Sequence, residues 1–261
     1  MKFRTLLLAS AAVLVAAPAF AAEDITAAFF TPAKGHILSD TTLVGGRFKT
    51  DNGENEGVDK NLRAMEEVTF GVTDNFAVFG GIANYFDVDG EYNNDHNFAY
   101  ELGAKYNMTY GKVLGQVAVA YHTWDPRSFF GKSGEGIDYE TNRWQKAVEG
   151  TVKLGYVLDC GLTPYTTFSA LGSFDHDHDQ GYSWFAGAHK MLDKVALDGG
   201  FRYDFGNGEY NGEAWYVQAE ADYFVKDNMT VGVFGDYYLG GAGRKDVEYG
   251  YTLGLNAKVL F

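Results

Sequence analysis

The clearest pattern in the chain is a strict alternation over 248–261, EYGYTLGLNAKVLF. Tyr249, Tyr251, Leu253, Leu255, Ala257, Val259 and Phe261 are apolar, while the positions between them are mostly polar or glycine. A period of two is that of a β-strand with one apolar and one polar face. The same rhythm recurs upstream. It predicts twelve strands near 40–50, 61–72, 76–86, 97–108, 112–124, 142–157, 162–174, 181–192, 195–206, 213–225, 229–239 and 247–261. The connections alternate in length. Those at 73–75, 109–111, 159–161, 193–194 and 226–228 are short and rich in Asp, Asn and Gly, which tolerate hairpin dihedrals. Those at 51–60, 87–96, 125–141, 175–180, 207–212 and 240–246 are longer. An even strand number puts both chain ends on the short-turn side.

Alternation alone does not separate a soluble barrel from a membrane barrel. The placement of aromatics does. One face of 97–108 reads Phe98, Tyr100, Leu102, Ala104, Tyr106, Met108, and one face of 213–225 reads Trp215, Val217, Ala219, Ala221, Tyr223, Val225. Aromatics lie toward both ends, with small or aliphatic residues between them, as two lipid–water interfaces require. The polar faces carry Arg47, Lys49, Arg63, Glu67, Glu101, Lys105, Glu149, Lys153, Asp198, Arg202, Asp204, Glu220, Asp222, Asp236, Glu248 and Lys258, together with His122 and His189. A dry core could not hold so many charges, since each unpaired buried ion costs several kcal/mol. Three ions break the rule: Glu66, Lys146 and Lys190 fall on the apolar faces. They call for strand-end positions that reach the interface, or for a bulge that shifts the register.

The start of the chain reads differently. Residues 1–21 have a basic beginning (Lys2, Arg4), an apolar stretch, and Ala19-Phe20-Ala21 as a small-x-small cleavage site, the layout of a secretory signal peptide. Residues 22–39 have no clear period. They predict either a periplasmic lead-in or a plug folded into the lumen, ahead of a barrel domain over 40–261. Composition adds to this picture. The 33 Gly, 18 Tyr and 20 Phe suit a β protein, and a single Cys160 excludes an intramolecular disulfide. A net charge of −14 argues against nucleic acid as a partner.

The signal peptide, the hairpin rhythm, the girdles and the closing aromatic strand resemble those of bacterial outer-membrane β-barrel proteins, porin-like in kind. The resemblance implies an all-β fold, a transmembrane antiparallel up-and-down barrel of twelve strands, located in the outer membrane. It implies lipid and lipopolysaccharide as surroundings, and a membrane-insertion signal on the last strand (Tyr249, Tyr251, Leu253, Leu255, Ala257, Val259, Phe261) read by the barrel-insertion machinery. It also makes the polar-face residues pore-lining, with small hydrophilic solutes or ions as the transported class and no cofactor.

Sorted by strand, the inward charges suggest a mildly basic wall over the first six strands and an acidic wall over the last four, with cations favoured overall. Two functions follow. A passive channel requires a hydrated path past Glu101, Lys105, Glu149, Asp198 and Glu220. A closed structural or adhesive barrel, acting through its extracellular loops, requires satisfied ion pairs and a segment across the lumen, from 22–38 or 125–141. The run Asp175-His176-Asp177-His178-Asp179 reads as a solvated acidic loop and not a metal site, because alternate residues point apart. Catalysis is not expected, since no serine stands beside an outward histidine and no partner faces the Asp/His run.

Overall fold

The computed structural model describes residues 24–51, 56–87, 98–123, 146–174, 180–206, 213–241 and 247–261. The expectations for 1–21, for 175–179 and for the loop 125–141 lie outside them. The described residues form twelve strands: β1 (Ile37–Asp51), β2 (Glu56–Gly71), β3 (Phe76–Asp87), β4 (Phe98–Tyr110), β5 (Val113–His122), β6 (Ala147–Tyr156), β7 (Leu162–Ser173), β8 (Gln180–Leu192), β9 (Val195–Gly206), β10 (Ala214–Lys226), β11 (Met229–Gly240) and β12 (Val247–Leu260). Each pairs antiparallel with its sequence neighbours, and β1 pairs with β12 to close the barrel. At the seam, Ile37 and Phe261 exchange backbone hydrogen bonds of 3.1 and 2.8 Å.

The short turns have the chemistry that the sequence suggests. Gly111 takes φ +60° in the connection from β4 to β5, and Asp193 takes φ +54° between β8 and β9. Positive φ at these positions matches the right-handed twist of the flanking strands. The strand-end exceptions also resolve. Lys146 is exposed just ahead of β6, and Lys190 lies two residues from the end of β8.

Outward positions form an apolar belt. Leu102 is 68% exposed, Leu253 65% and Val233 56%, whereas inward Thr230, Thr69 and Asp222 are 0–3% exposed. Glu66 is the exception that strand ends do not explain. The β2 ladders run unbroken on both sides of it, so no bulge turns it inward. It stays on the outer alternation with Val68 and Phe70. There its carboxylate accepts hydrogen bonds from Ser39 Oγ and Thr41 Oγ1, each at 2.5 Å. A carboxylate facing lipid is costly, and two hydroxyl donors offset only part of that cost. Glu66→Leu should therefore stabilise the barrel in lipid by about 1 kcal/mol, read from the urea midpoint of unfolding. A loss of stability would mean that the belt is wet at this position.

Inward aromatics lie along the wall. A side chain at Gly254 would run into the ring of Phe234, and one at Gly187 into the ring of Phe185. Bare glycine backbone lets the Phe234 ring lie against β12, and the Phe185 ring against Gly187 of its own strand and Gly200 of β9.

Candidate functional site

Residues 24–36 lie in the lumen toward its short-turn end and cross it before joining β1. Two turns start the segment, with Ala27 N donating to Asp24 O (3.1 Å) and Phe30 N to Ala27 O (2.8 Å). The remaining links are to the wall. Asn107 Nδ2 on β4 donates to Phe29 O (2.5 Å) and to Thr31 Oγ1 (2.7 Å), while Gln116 on β5 donates to Asn107 Oδ1 (2.8 Å). Lys153 Nζ on β6 donates to Ala28 O at 2.5 Å. The Phe29 ring meets Tyr165 of β7 edge-on at 5.9 Å and occupies the space beside Gly155. Ile25, 3% exposed, packs with Leu38, Ala196, Phe224 and Leu260. In a ring of twelve, β7 lies opposite β1, so contacts with β6 to β9 mean that the segment traverses the lumen.

The far end of the crossing is held by a polar chain. His189 Nε2 on β8 is 2.8 Å from Asp24 Oδ2, and its Nδ1 is 3.5 Å from Asp198 Oδ2 on β9. Tyr165 OH donates to Asp198 Oδ1 at 2.7 Å. Burial pushes the Asp24 carboxyl up, but the hydrogen bonds from His189 and Thr26 outweigh it and hold the group below its ordinary value. A depressed carboxylate contributes stability that is complete above the ordinary range and lost as pH falls through the lowered value. Limited proteolysis of the folded barrel should therefore find residues 24–34 protected down to about pH 4 and cut only in stronger acid. Cutting that already rises near pH 5 would show that Asp24 does not hold the segment.

Above the crossing lies a cavity of about 600 Å³. Its walls include Glu67, Lys105, Glu149, Lys153, Asp198 and Glu220, with Phe79, Phe185 and Phe234 among the aromatics. The charges of the lumen fall into local groups. Lys258 Nζ is 2.7 Å from Glu220 Oε1 and 3.3 Å from Asp222 Oδ2, and Asn256 also donates to Glu220. Arg202 lies 3.2 Å from Asp204 and 4.0 Å from Asp236, its guanidinium stacked 4.4 Å from the centre of the Tyr216 ring. His122 sits between Glu149 (3.1 Å) and Glu101 (3.5 Å). Among the described residues no group of His, Cys, Asp and Glu is arranged to hold a metal ion.

The structure turns Arg63, Glu67, Glu101, Lys105, Glu149, Lys153, Asp198, Arg202, Asp204, Glu220, Asp222, Asp236 and Lys258 inward, along with His122 and His189. The side chains of Arg47 and Lys49 lie outside the described residues; their backbone partners on β12 are Tyr251 and Tyr249. The stretch 40–50 has apolar residues on both parities, and the fixed register of β12 decides between them. It turns Val44 inward, against Ala83 and Ala99. The same parity brings in Asp40, which the sequence reading left out; its ladder partner is Lys258. Among the described side chains of the first six strands, Arg63, Lys105 and Lys153 then stand with Asp40, Glu67, Glu101 and Glu149. The side chains of Glu248 and Tyr249 lie outside the described residues. On β12, Tyr251, Leu253, Leu255, Ala257, Val259 and Phe261 follow the outer alternation, with Leu253 and Leu255 exposed.

The fold and the lumen can be set beside known proteins. No protein-family model matches the sequence, and no curated protein matches it significantly. Solved structures do match in fold. An outer-membrane channel from Pseudomonas putida F1 superposes with a TM-score of 0.65 at 11% identity, over 90% of this chain and 98% of that one. The NanC porin superposes with a TM-score of 0.58 at 10% identity, over 84% of this chain and 98% of that one. In class, the chain has the fold of the outer-membrane β-barrels: twelve strands, an apolar belt outside and a polar, charged lumen inside.

Proposed function

We propose that the chain is a bacterial outer-membrane channel for passive diffusion of small hydrophilic solutes or ions. The observation that carries this reading is the polar cavity of about 600 Å³ inside a barrel whose outer face is an apolar belt. Such a lumen replaces the hydrocarbon barrier with charged and hydroxyl groups, and no chemical step is needed. Inward carboxylates outnumber inward lysines and arginines, so cations are favoured over anions. The solved channels that share the fold support the reading, and so does the pattern of β12, which suits recognition by the barrel-insertion machinery. Lipid and lipopolysaccharide are then the surroundings of the belt.

A second reading is favoured by one specific observation, the crossing of residues 24–36. A barrel closed by this segment would be structural or adhesive and would act through its extracellular loops. Single-channel recording of the refolded protein in a planar bilayer, under a salt gradient, separates the two. Stable conductance steps with a cation-leaning reversal potential are expected. A folded, inserted and silent barrel would overturn the channel and leave the closed barrel standing.

A further inference from the structure

We propose that the cavity wall formed by β4, β5 and β6 is a binding subsite for small zwitterions of the amino-acid type, whose carboxylate is taken by Lys105 and Lys153. The inference deepens the channel reading and rests on it for how the solute arrives.

Most charges of the lumen already have partners. On the other side of the lumen, Glu220 and Asp222 share Lys258, and Asp204 and Asp236 flank Arg202. Asp198 is engaged by Tyr165 and His189. Among the described residues, neither Lys105 nor Lys153 has a carboxylate within ion-pair distance. Lys105 Nζ stands 5.9 Å over the Phe79 ring. Lys153 Nζ stands 5.6 and 5.7 Å from the rings of Phe29 and Tyr165 and is held by Ala28 O. Both face the cavity. An ammonium has three donors, so Lys105 and Lys153, with no carboxylate in direct contact, keep donors to offer to a solute, and a carboxylate meets them best.

The strand register leaves room for that carboxylate. Lys105 is paired across β4 and β5 with Ala118, and Ala118 is paired with Thr151 on β6. At the level of Lys105 the next side chain on β5 is thus a methyl; Lys153 stands two residues along β6 from Thr151, paired with Gln116. Thr151 and Ser169 continue the row with hydroxyls 2.8 Å apart.

The same wall decides against a simple anion. Glu67 and Glu149 also line the cavity, and Glu101 lies behind with His122 between it and Glu149. The wall is close to neutral, so a net anion gains little from it. A solute with a carboxylate and an ammonium on one carbon can place the first on the lysines and the second toward Glu67 or Glu149. Phe79, Tyr165 and Phe185 then offer ring surface to its side chain.

The test is isothermal titration of the folded full-length barrel in detergent with L-alanine, acetate and ethylammonium. L-Alanine should bind saturably and more tightly than acetate, and ethylammonium should not bind. Lys105→Met should weaken L-alanine binding about tenfold or more, the loss of one charge-assisted contact. Lys153→Met should do the same and Lys153→Arg should retain binding. Lys105→Met is the decisive variant, because among the described residues no hydrogen bond or ion pair joins Lys105 to the crossing segment. No saturable L-alanine binding, acetate binding equally well, or unchanged affinity in Lys105→Met would each overturn the subsite. A silent barrel that binds L-alanine would remove the channel and leave the subsite, whereas a conducting barrel that does not bind it would do the reverse.

Discussion

Deletion of residues 24–34 should raise single-channel conductance several-fold while the barrel stays folded. The twelve ladders do not use this segment, and the seam bonds between Ile37 and Phe261 lie beyond the cut. What is lost is its lumen anchorage: the Asn107 and Lys153 bonds to Phe29 O and Ala28 O, the Phe29–Tyr165 contact, the Asp24–His189 pair and the burial of Ile25. Losing Ile25 alone costs about 2 kcal/mol of apolar burial, far less than a barrel with a complete ladder can bear. A gentler variant checks that the effect comes from displacement and not from truncation. In Gly155→Val the new Cβ would stand 2.6 Å from Phe29 Cε2 and 2.7 Å from Cζ, so the ring must leave its place. Gly155→Val should raise conductance in the same direction by a smaller factor. If neither change alters the current, residues 24–34 do not lie in the permeation path.

The second large effect is expected at Lys258. Its ammonium is the cation shared by Glu220 and Asp222, and the side chains of Lys258 and Asp222 are only 12% and 3% exposed. Lys258→Met leaves two neighbouring carboxylates without it, and breaking a buried pair in this way costs about 3 kcal/mol. Urea unfolding should show that loss at neutral pH. Glu220→Gln in the same chain should recover part of it by removing one of the stranded charges. The backbone of β11 is built for this group. A Cβ on Gly232 would collide with Asp222 Oδ1 and Asn256 Oδ1, which meet across it from β10 and β12. Gly232→Ala should therefore lower stability in the same assay, and its effect should shrink in the Lys258→Met background, where the cluster is already broken. Equal effects in both backgrounds would mean that Gly232 serves the strand and not the cluster.

Much of the architecture was legible in the chain because the membrane imposes its rule residue by residue. On β4 and β10 the two parities differ so sharply that the inward set, Glu101 and Lys105 or Glu220 and Asp222, follows from alternation alone. β1 was harder. Leu43 and Val44 compete for the outer face, and only the register fixed by β12 and β2 settles it, a long-range contact that no local window contains. The inward place of Asp40, beside Lys258, therefore becomes legible only with that register. The crossing segment was harder still. DITAAFF (24–30) has no period, because its residues bind by separate contacts: one aliphatic anchor, one carboxylate and two carbonyls. Glu66 stands out in the sequence as an exception, but its remedy does not, since Ser39 and Thr41 lie across the ladder on another strand.

The seam between β1 and β12 has a consequence for the order of assembly. It joins Leu38 to Leu260 and Gly46 to Thr252, partners separated by almost the whole chain, whereas every other ladder joins consecutive strands. Hairpins along the chain can form early and cheaply, but this ladder must wait until the two most distant strands meet, at the largest loop-closure entropy in the fold. Until then β1 and β12 are both open edges with unsatisfied backbone groups, which hydrocarbon does not tolerate. The molecule thus has one late, committing step, and a sheet caught before it carries two sticky margins that invite pairing with another copy.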